Sequence, residues 1–376
     1  MKKDAYQICT RCVMDTSDPH IVFDDEGVCN HCRRIEKIFL MPPFSLNDED
    51  KKKELLKKVE SIKKNGENRK YDCVIGLSGG VDSSYVAYLV KTLSIRPLVI
   101  HLDNGWNSEI AENNINNICE RLNLKQTTVH VDWEEFKDLQ LAFLKSSTPD
   151  SEIPSDHAIV SVLYHFARKY RIKYIISGVN QNSESIMPSA WSEGHKDWIY
   201  IKNIYRRFGS RGKKLLNFPH MSIVDIFVNK VIFQIEWFSI LDYINYDKEE
   251  VKEIIQREFN WENYGRKHGE SNYTKIFQEY ILPQKFGFDK RRGHLSSLIA
   301  AGQITRTEAL EKLKEPFYSS LEALDADIDF LVKKLEITRS EFENIMNKKV
   351  RFYSDYPNWK NSVIGRFYRS IKFILK

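Results

Sequence analysis

The chain has 376 residues, 42% of them hydrophobic and 29% charged, an ordinary globular balance that excludes a disordered or low-complexity protein. Lys and Arg number 57 against 52 Asp and Glu, so the formal charge of +5 describes a mixed surface more than a nucleic-acid footprint, and no nucleic-acid partner is expected; it suits an anionic small substrate. No apolar run of about eighteen residues occurs and no apolar h-region follows the charged start, so no membrane span is expected and the chain reads as cytoplasmic.

In a reducing compartment the six cysteines take their meaning from spacing. Cys9-Thr10-Arg11-Cys12 and Cys29-Asn30-His31-Cys32 are two CxxC knuckles separated by sixteen residues, a layout that presents four thiolates to one Zn²⁺. A redox pair is the competing reading, but such motifs follow a strand inside a βαβ pattern, and these do not. Turn residues flank a short expected strand, His20 to Phe23, and His20 and His31 are left outside a ligand set already filled by sulfur. Cys73 and Cys119 read as buried small hydrophobes.

After a linker at Met41-Pro42-Pro43, helical spacing runs from Asp48 to Lys64. Short apolar runs then alternate with helical patterns. Strands are expected at Cys73 to Leu77, Pro97 to Leu102, Thr127 to Val131 and Lys173 to Ser177, with helices at Ser83 to Leu93 and Ser108 to Leu122. That alternation predicts a doubly wound parallel α/β sheet covered on both faces, with ligands at the carboxyl ends of its strands.

The first strand end carries Ser78-Gly79-Gly80-Val81-Asp82-Ser83-Ser84. Glycines let the backbone approach an anion, and the serines and the amides of a helix start supply donors. The stretch lacks the lysine of GxxxxGK[ST] and the spacing of GxGxxG. What remains is SGGxDS, and it resembles the motif of the PP-loop ATP pyrophosphatases, which transfer AMP and release pyrophosphate. Asp82 is a hard oxygen ligand suited to the Mg²⁺ that accompanies the triphosphate. At the second strand end Asp103 or Asn104 is placed to reach the base or ribose. The third candidate is Ser177 to Glu184, with Gly178 at its start. Asp156 opens a helical apolar face and reads equally as an N-cap, and His157 beside it is a weak candidate.

Beyond Ser189 aromatics become frequent, and the basic turn Phe208 to Lys214 reads either as a solvated face or as a binding loop. Gly265 to Thr274 is denser. Here Lys267 is suited to neutralise α-phosphate charge, His268 to move a proton, Glu270 to hold Mg²⁺, and Ser271 to add a hydroxyl or cap the helix Tyr273 to Leu282. Asp289, Arg291 and His294 are secondary candidates. Capping boxes at Thr305 and Thr338 start helices in the last part, and the tail from Ser362 to Lys376 is basic and amphipathic.

The cysteine head, SGGVDSS, the Lys267 to Ser271 cluster and Asp289 to Ser297, in that order, resemble the N-acetyl sugar amidotransferase family of bacterial surface-polysaccharide and O-antigen biosynthesis, from about Cys9 to Leu310. The resemblance implies a PP-loop, HUP-like fold, with a zinc-ribbon head at 1–45, a nucleotide-binding domain at 46–190, a substrate-binding and catalytic region at 191–300 and a helical region at 301–376. It implies use of ATP, Mg²⁺ and Zn²⁺ to convert an acetamido group of a sugar or nucleotide sugar to an acetamidino group, with ammonia from a separate glutaminase subunit. The alternative is a tRNA-modifying PP-loop enzyme of the sulfur-inserting or lysine-adding type; the first generally needs further paired cysteines, which are not present here.

Overall fold

A computed structural model describes residues 6–210, 214–265, 269–362 and 365. The helices are α1 (Asn30–Phe39), α2 (Asp48–Gly66), α3 (Val81–Thr92), α4 (Glu109–Arg121), α5 (Trp133–Ser146), α6 (Ile153–Lys169), α7 (Gln181–Glu184) and α8 (Trp198–Phe208). They continue with α9 (Ile223–Phe227), α10 (Lys248–Phe259), α11 (Asn272–Ile276), α12 (Arg291–Ala300), α13 (Arg306–Lys314), α14 (Leu321–Leu335) and α15 (Arg339–Asn347). Side-chain oxygens of Asn47, Ser108 and Asp132 cap α2, α4 and α5, and the capping boxes at Thr305 and Thr338 start α13 and α15 as expected.

The strands β1 (Cys73–Gly76), β2 (Pro97–Asp103), β3 (Gln126–His130), β4 (Tyr174–Ser177) and β5 (Glu236–Ser239) form one sheet in the order β3-β2-β1-β4-β5, every pairing parallel. The expected doubly wound α/β sheet is therefore present. Alternation along β1 explains why both faces are covered: Cys73, Ile75 and Leu77 pack toward α2 and α3, whereas Val74 packs on the opposite face beside Val162 and Leu163 of α6. The chain runs outward from β1 through β2 to β3 and then returns to the other side of β1 for β4. The gap above the carboxyl ends of β1 and β4 is thus the switch point where such sheets hold ligands.

Two expectations are corrected. His20 to Phe23 is not a strand: the head is held by isolated bridges, Ile8 to Asp15 and Phe23 to Cys29, because turns occupy most of so short a segment. Cys119 is only half buried, and its thiol donates to Gln126 Oε1 at 3.5 Å, while Cys73 is fully buried. β5 comes from the stretch assigned to the substrate region; four residues at a sheet edge, two of them polar, leave little pattern to read.

A second core joins the cysteine head to the helical region. Met14 and Ile35 pack with Trp106, Phe136, Phe143, Tyr200, Tyr273, Phe277 and Leu331. After α11 the chain widens into a π-helix, Phe277–Phe286, which contains Pro283. Among the described residues no helix is long and apolar enough to cross a membrane.

Candidate active site and cysteine centre

The loop after β1 is built by close approach. Gly79 has φ +78°, and a Cβ there would run into the Ala111 carbonyl of α4, so only glycine fits. Its own carbonyl accepts from Trp261 Nε1 at 2.8 Å. Gly80 stands at the N-cap of α3 with no side-chain cap, and in the first turn Val81 N donates to Tyr264 Oη at 3.3 Å. Ser78 and Ser83 hydroxyls lie 3.1 Å apart, and Ser84 Oγ donates back to the Gly80 carbonyl at 2.7 Å. Ser84 therefore braces the turn from inside, while Ser78, Gly80, Val81, Asp82 and Ser83 line a cleft of 650 Å³.

Gly178, at the end of β4, is the other wall of the switch point. A Cβ there would stand 3.1 Å from Asp82 Cβ, so the missing side chain lets β4 close against α3. Tyr246 Oη donates to Asp82 Oδ1 and fixes the carboxylate.

Glu270 and Ser271 reach this loop from far along the chain. Ser108 N donates to the Glu270 carbonyl at 2.9 Å, Asn272 N donates to the Trp106 carbonyl at 2.9 Å, and Ser271 bridges Asn107. That pairing sets the Glu270 side chain over the loop: a Cβ on Gly80 would meet Glu270 Oε1 at 3.2 Å and Tyr264 Oη at 3.3 Å. Ser271 caps α11 by accepting from Thr274 N at 3.3 Å, and Glu270 and Ser271 both line the cleft. Lys267 and His268 lie outside the described residues, as do Arg211 and Lys213.

Asp103 is placed differently. Its carboxylate accepts from Gly105 N and faces His130 Nδ1, both at 2.9 Å, and it is Asn104 beside it that lines the cleft. Asn104 in turn donates to Ser155 Oγ at 2.9 Å. His101, unnoticed in the sequence, donates from Nδ1 to the Leu77 carbonyl at 2.9 Å and accepts from Asn107 at Nε2, tying two strand ends together. In the third segment Asn180 caps α7 and only Glu184 of that helix faces the cleft.

Asp156 is not an N-cap, because α6 begins three residues earlier, with Pro154 in its first turn and Glu152 at the capping position. Its carboxylate faces the cleft. Although its side chain still meets water, its place in the cleft, which strips part of its hydration, and the neighbouring carboxylates Asp150, Glu152 and Glu184, only partly offset by Lys290, push its pKa up to about 8. Lys290 Nζ lies 3.2 Å from Glu152 Oε2. Burial opposes the charge on Lys290, but the carboxylates of Glu152, Asp150 and Asp156 outweigh it and hold its pKa above the ordinary value. His157 is a core residue: Nδ1 donates to the His195 carbonyl at 2.7 Å, Nε2 accepts from Met221 N at 3.0 Å, and burial lowers its pKa to about 4.

The segment around α12 separates into distinct jobs. Lys290 and His294 face the cleft. Asp289 pairs with Arg291, whose guanidinium donates to the Glu315 carbonyl at 2.9 Å and lies 3.9 Å over the Phe317 ring, so neither points at the cleft. Arg292 pairs with Asp15 at 2.9 Å and donates to the Val13 carbonyl at 2.7 Å; Ser296 Oγ accepts from Val13 N at 3.2 Å. Gly293 leaves room for the Ile186 carbonyl, and Ser297 Oγ accepts from Ile186 N at 2.9 Å.

The four head cysteines are buried with their sulfurs all within 4.8 Å of one another. The Cys9–Cys32 and Cys12–Cys29 pairs are 3.9 and 3.7 Å apart, and a tetrahedral zinc site with Zn–S of about 2.3 Å has edges of about 3.8 Å. Backbone amides of Arg11, Cys12 and Cys29 donate to Cys9 Sγ, and Met14 N donates to Cys12 Sγ, as thiolates require. The cysteines fit Zn²⁺. His31 instead pairs with Asp18 at 2.7 Å.

Residues 52–224 match the family model for NAD synthase, and residues 270–372 match that for the C-terminal domain of LPS biosynthesis protein WbpG-like proteins. Among curated proteins, the probable mitochondrial tRNA-specific 2-thiouridylase 1 of Caenorhabditis elegans is 31% identical over 121 residues, 28% of this chain and 32% of that protein. The tRNA-specific 2-thiouridylase MnmA 2 of Fusobacterium nucleatum is 28% identical over 113 residues, again 28% and 32%. The chain thus spans about a third of the length of these curated relatives. Among solved structures, the NH3-dependent NAD synthetase from Campylobacter jejuni is 16% identical with a TM-score of 0.33, covering 72% of this chain and 98% of that one. The fold of the matched part is that of the PP-loop ATP pyrophosphatases.

Proposed function

Because this chain belongs to the N-acetyl sugar amidotransferases, the WbpG-type acetamidino-sugar synthetases of the PP-loop superfamily, we propose that it converts a sugar acetamido group to an acetamidino group in surface-glycan synthesis. ATP would adenylate the amide oxygen and ammonia from a glutaminase partner would displace AMP. The observation that carries this reading is that one cleft is lined both by Ser78 to Ser83 and by Glu270, Ser271, Lys290 and His294 of the WbpG-like part.

In this reading the amide oxygen attacks the α-phosphorus of ATP and pyrophosphate leaves; the nitrogen of ammonia then attacks the imidate carbon, and AMP departs with the former amide oxygen. The first-turn amides of α3 and the hydroxyls of Ser78 and Ser83 receive the phosphates, and Asn104 sits where the adenosine would lie. Asp82 and Glu270, two carboxylates at the rim of the cradle, would hold Mg²⁺, which supplies charge neutralisation on the phosphates. Lys290 attracts the anionic leaving groups. Asp156, whose pKa is near neutrality, takes a proton from the attacking nitrogen. Lys267 would neutralise α-phosphate charge and His268 would move a proton in the same reaction. The head at 1–45, with Zn²⁺ on Cys9, Cys12, Cys29 and Cys32, serves as a structural clamp, and the domain divisions at 45, 190 and 300 follow the same reading.

Sulfur insertion fits less well. A thiolation site needs a thiolate at the activated carbon, and none of the cysteines lines the cleft. Incubation with ATP, ammonium and a panel of acetamido sugars and their nucleotide-linked forms tests the proposal by mass, since replacing oxygen with NH makes the product about 1 Da lighter. AMP formation on tRNA with no sugar altered would favour the other reading.

A further inference from the structure

Beside the cleft lies a second cavity of 380 Å³, walled among others by Thr148, Asp150, Ile153, Trp191, Tyr200 and Tyr353. The linings of the two volumes alternate along the same two stretches. Asp150 and Ile153 face the second cavity while Glu152 and Ser155 face the cleft; Trp191 and Glu193 face the second cavity while Ser192 faces the cleft. A hydrogen bond crosses this wall, Ser192 Oγ donating to Asp150 Oδ2 at 2.6 Å, its donor lining one volume and its acceptor the other.

On the reading of the chain as an ammonia-using synthetase, we propose that the second cavity is the entry route for ammonia and that the Asp150–Ser192 pair is the polar gate into the cleft. Trp191, Tyr200, Phe352 and Tyr353 put four aromatic rings in the walls, and several polar groups there are already engaged: Tyr200 Oη donates to Thr148 Oγ1 at 3.1 Å, Tyr353 Oη donates to Asp197 at 2.6 Å, and Lys360 pairs with Glu193. A sugar, with a hydroxyl on nearly every carbon, would find few free partners there. Ammonia, with a single lone pair and three small N–H groups, needs few. A buried donor and the gate itself are there to guide it. Trp191, 3% exposed, carries a buried indole N–H with no partner among the described residues, a donor for the nitrogen lone pair. Asp150, 5% exposed, accepts from Glu152 N at 3.0 Å as well as from Ser192, so ammonia passes by exchanging the Ser192 bond, and burial raises the Asp150 pKa, which lowers the tendency to trap ammonium as a fixed ion pair.

The test uses the full chain with a plug in the route. Ala190 lines the second cavity and not the cleft, and Ala190→Phe fills it. Exchange of labelled pyrophosphate into ATP, driven by the acetamido substrate without ammonia, reports adenylation alone; the rate against ammonium concentration reports ammonia access. The expected result is exchange retained with the KM for ammonium raised about tenfold or more. An unchanged ammonium KM, or a raised KM for the sugar instead, overturns the route. If Ala190→Phe loses exchange, Ser354→Trp, which fills the cavity from another part of its wall, decides by the same two readings. A wild-type chain that exchanges with no acetamido sugar contradicts the proposed function and leaves that failure distinct from failure of the route.

Discussion

Asp15 of the cysteine head and Arg292 at the start of α12 form an ion pair of 2.9 Å with side chains only 4% and 17% exposed. The pair ties the metal-binding segment to the helix whose neighbours on either side, Lys290 and His294, face the cleft. Arg306 reinforces it by donating to the Cys9 and Cys12 carbonyls at 3.0 to 3.1 Å.

Arg292→Ala leaves Asp15 buried without its cation, held only by hydrogen bonds from Tyr6 and Ser17, and stability should fall by about 3 kcal/mol, read as an earlier midpoint in denaturant. Zinc chelation should produce a comparable loss and, with it, a drop in adenylation, because the head braces α12. Chelation that releases no zinc, or that leaves the midpoint unmoved, contradicts the structural role of the four cysteines.

Two glycines of the cradle should respond unequally to alanine. Gly79 has positive φ and a carbonyl in the way, so Gly79→Ala should compromise folding itself. Gly178→Ala meets Asp82 at 3.1 Å, which a small displacement relieves; the chain should fold with the KM for ATP raised about tenfold. Equal thermal stability of both variants to wild type would remove the close-packing argument.

Asp156 provides a pH dependence with a definite sign. Its folded pKa, about 8, lies above the value of an exposed carboxyl, so the folded state holds a proton that the unfolded state releases. Its contribution to stability is full below about pH 4 and is lost as pH rises through about 8. One side of Asp156 is open to water, which moderates the effect, so Asp156→Asn should raise the melting temperature by about 2 °C at pH 8 and leave it unchanged at pH 4. Ammonia-dependent turnover should rise through about pH 8 in the wild type and lose that rise in the variant, after correction for the titration of ammonium. A melting temperature that falls at pH 8 would reverse the sign assigned here.

Loss of charge at Lys290 should separate binding from structure. Lys290→Met removes the cation that faces Glu152, Asp150 and Asp156, so the carboxyl of Asp156 should titrate higher still and pyrophosphate exchange should fall about a hundredfold with the fold intact. Unchanged exchange would dismiss Lys290 from the phosphate end of the cleft.

Local features were the legible ones. SGGVDSS stood out because strand, turn and helix start are contiguous, and CxxC spacing encodes a metal site within one short segment. Capping boxes at Thr305 and Thr338 are likewise complete within four residues. Lys290 and Glu152 were not legible, since their meeting depends on packing between α6 and α12, 138 positions apart. For Asp156 the sequence leaves cap and cleft-facing carboxylate level, because the two differ only in where the helix begins, and Pro154 moves that start upstream. Asp289 and Arg291 looked as chemical as Lys290, and only the fold reveals that they bind each other and the end of α13.

The most direct measurement follows oxygen. With an acetamido sugar that serves as substrate, labelled with oxygen-18 in its amide carbonyl, the account predicts that one labelled oxygen appears in the phosphate of AMP and that the amidino product carries none. Label retained in the sugar, or AMP formed without label, would contradict adenylation of the amide oxygen.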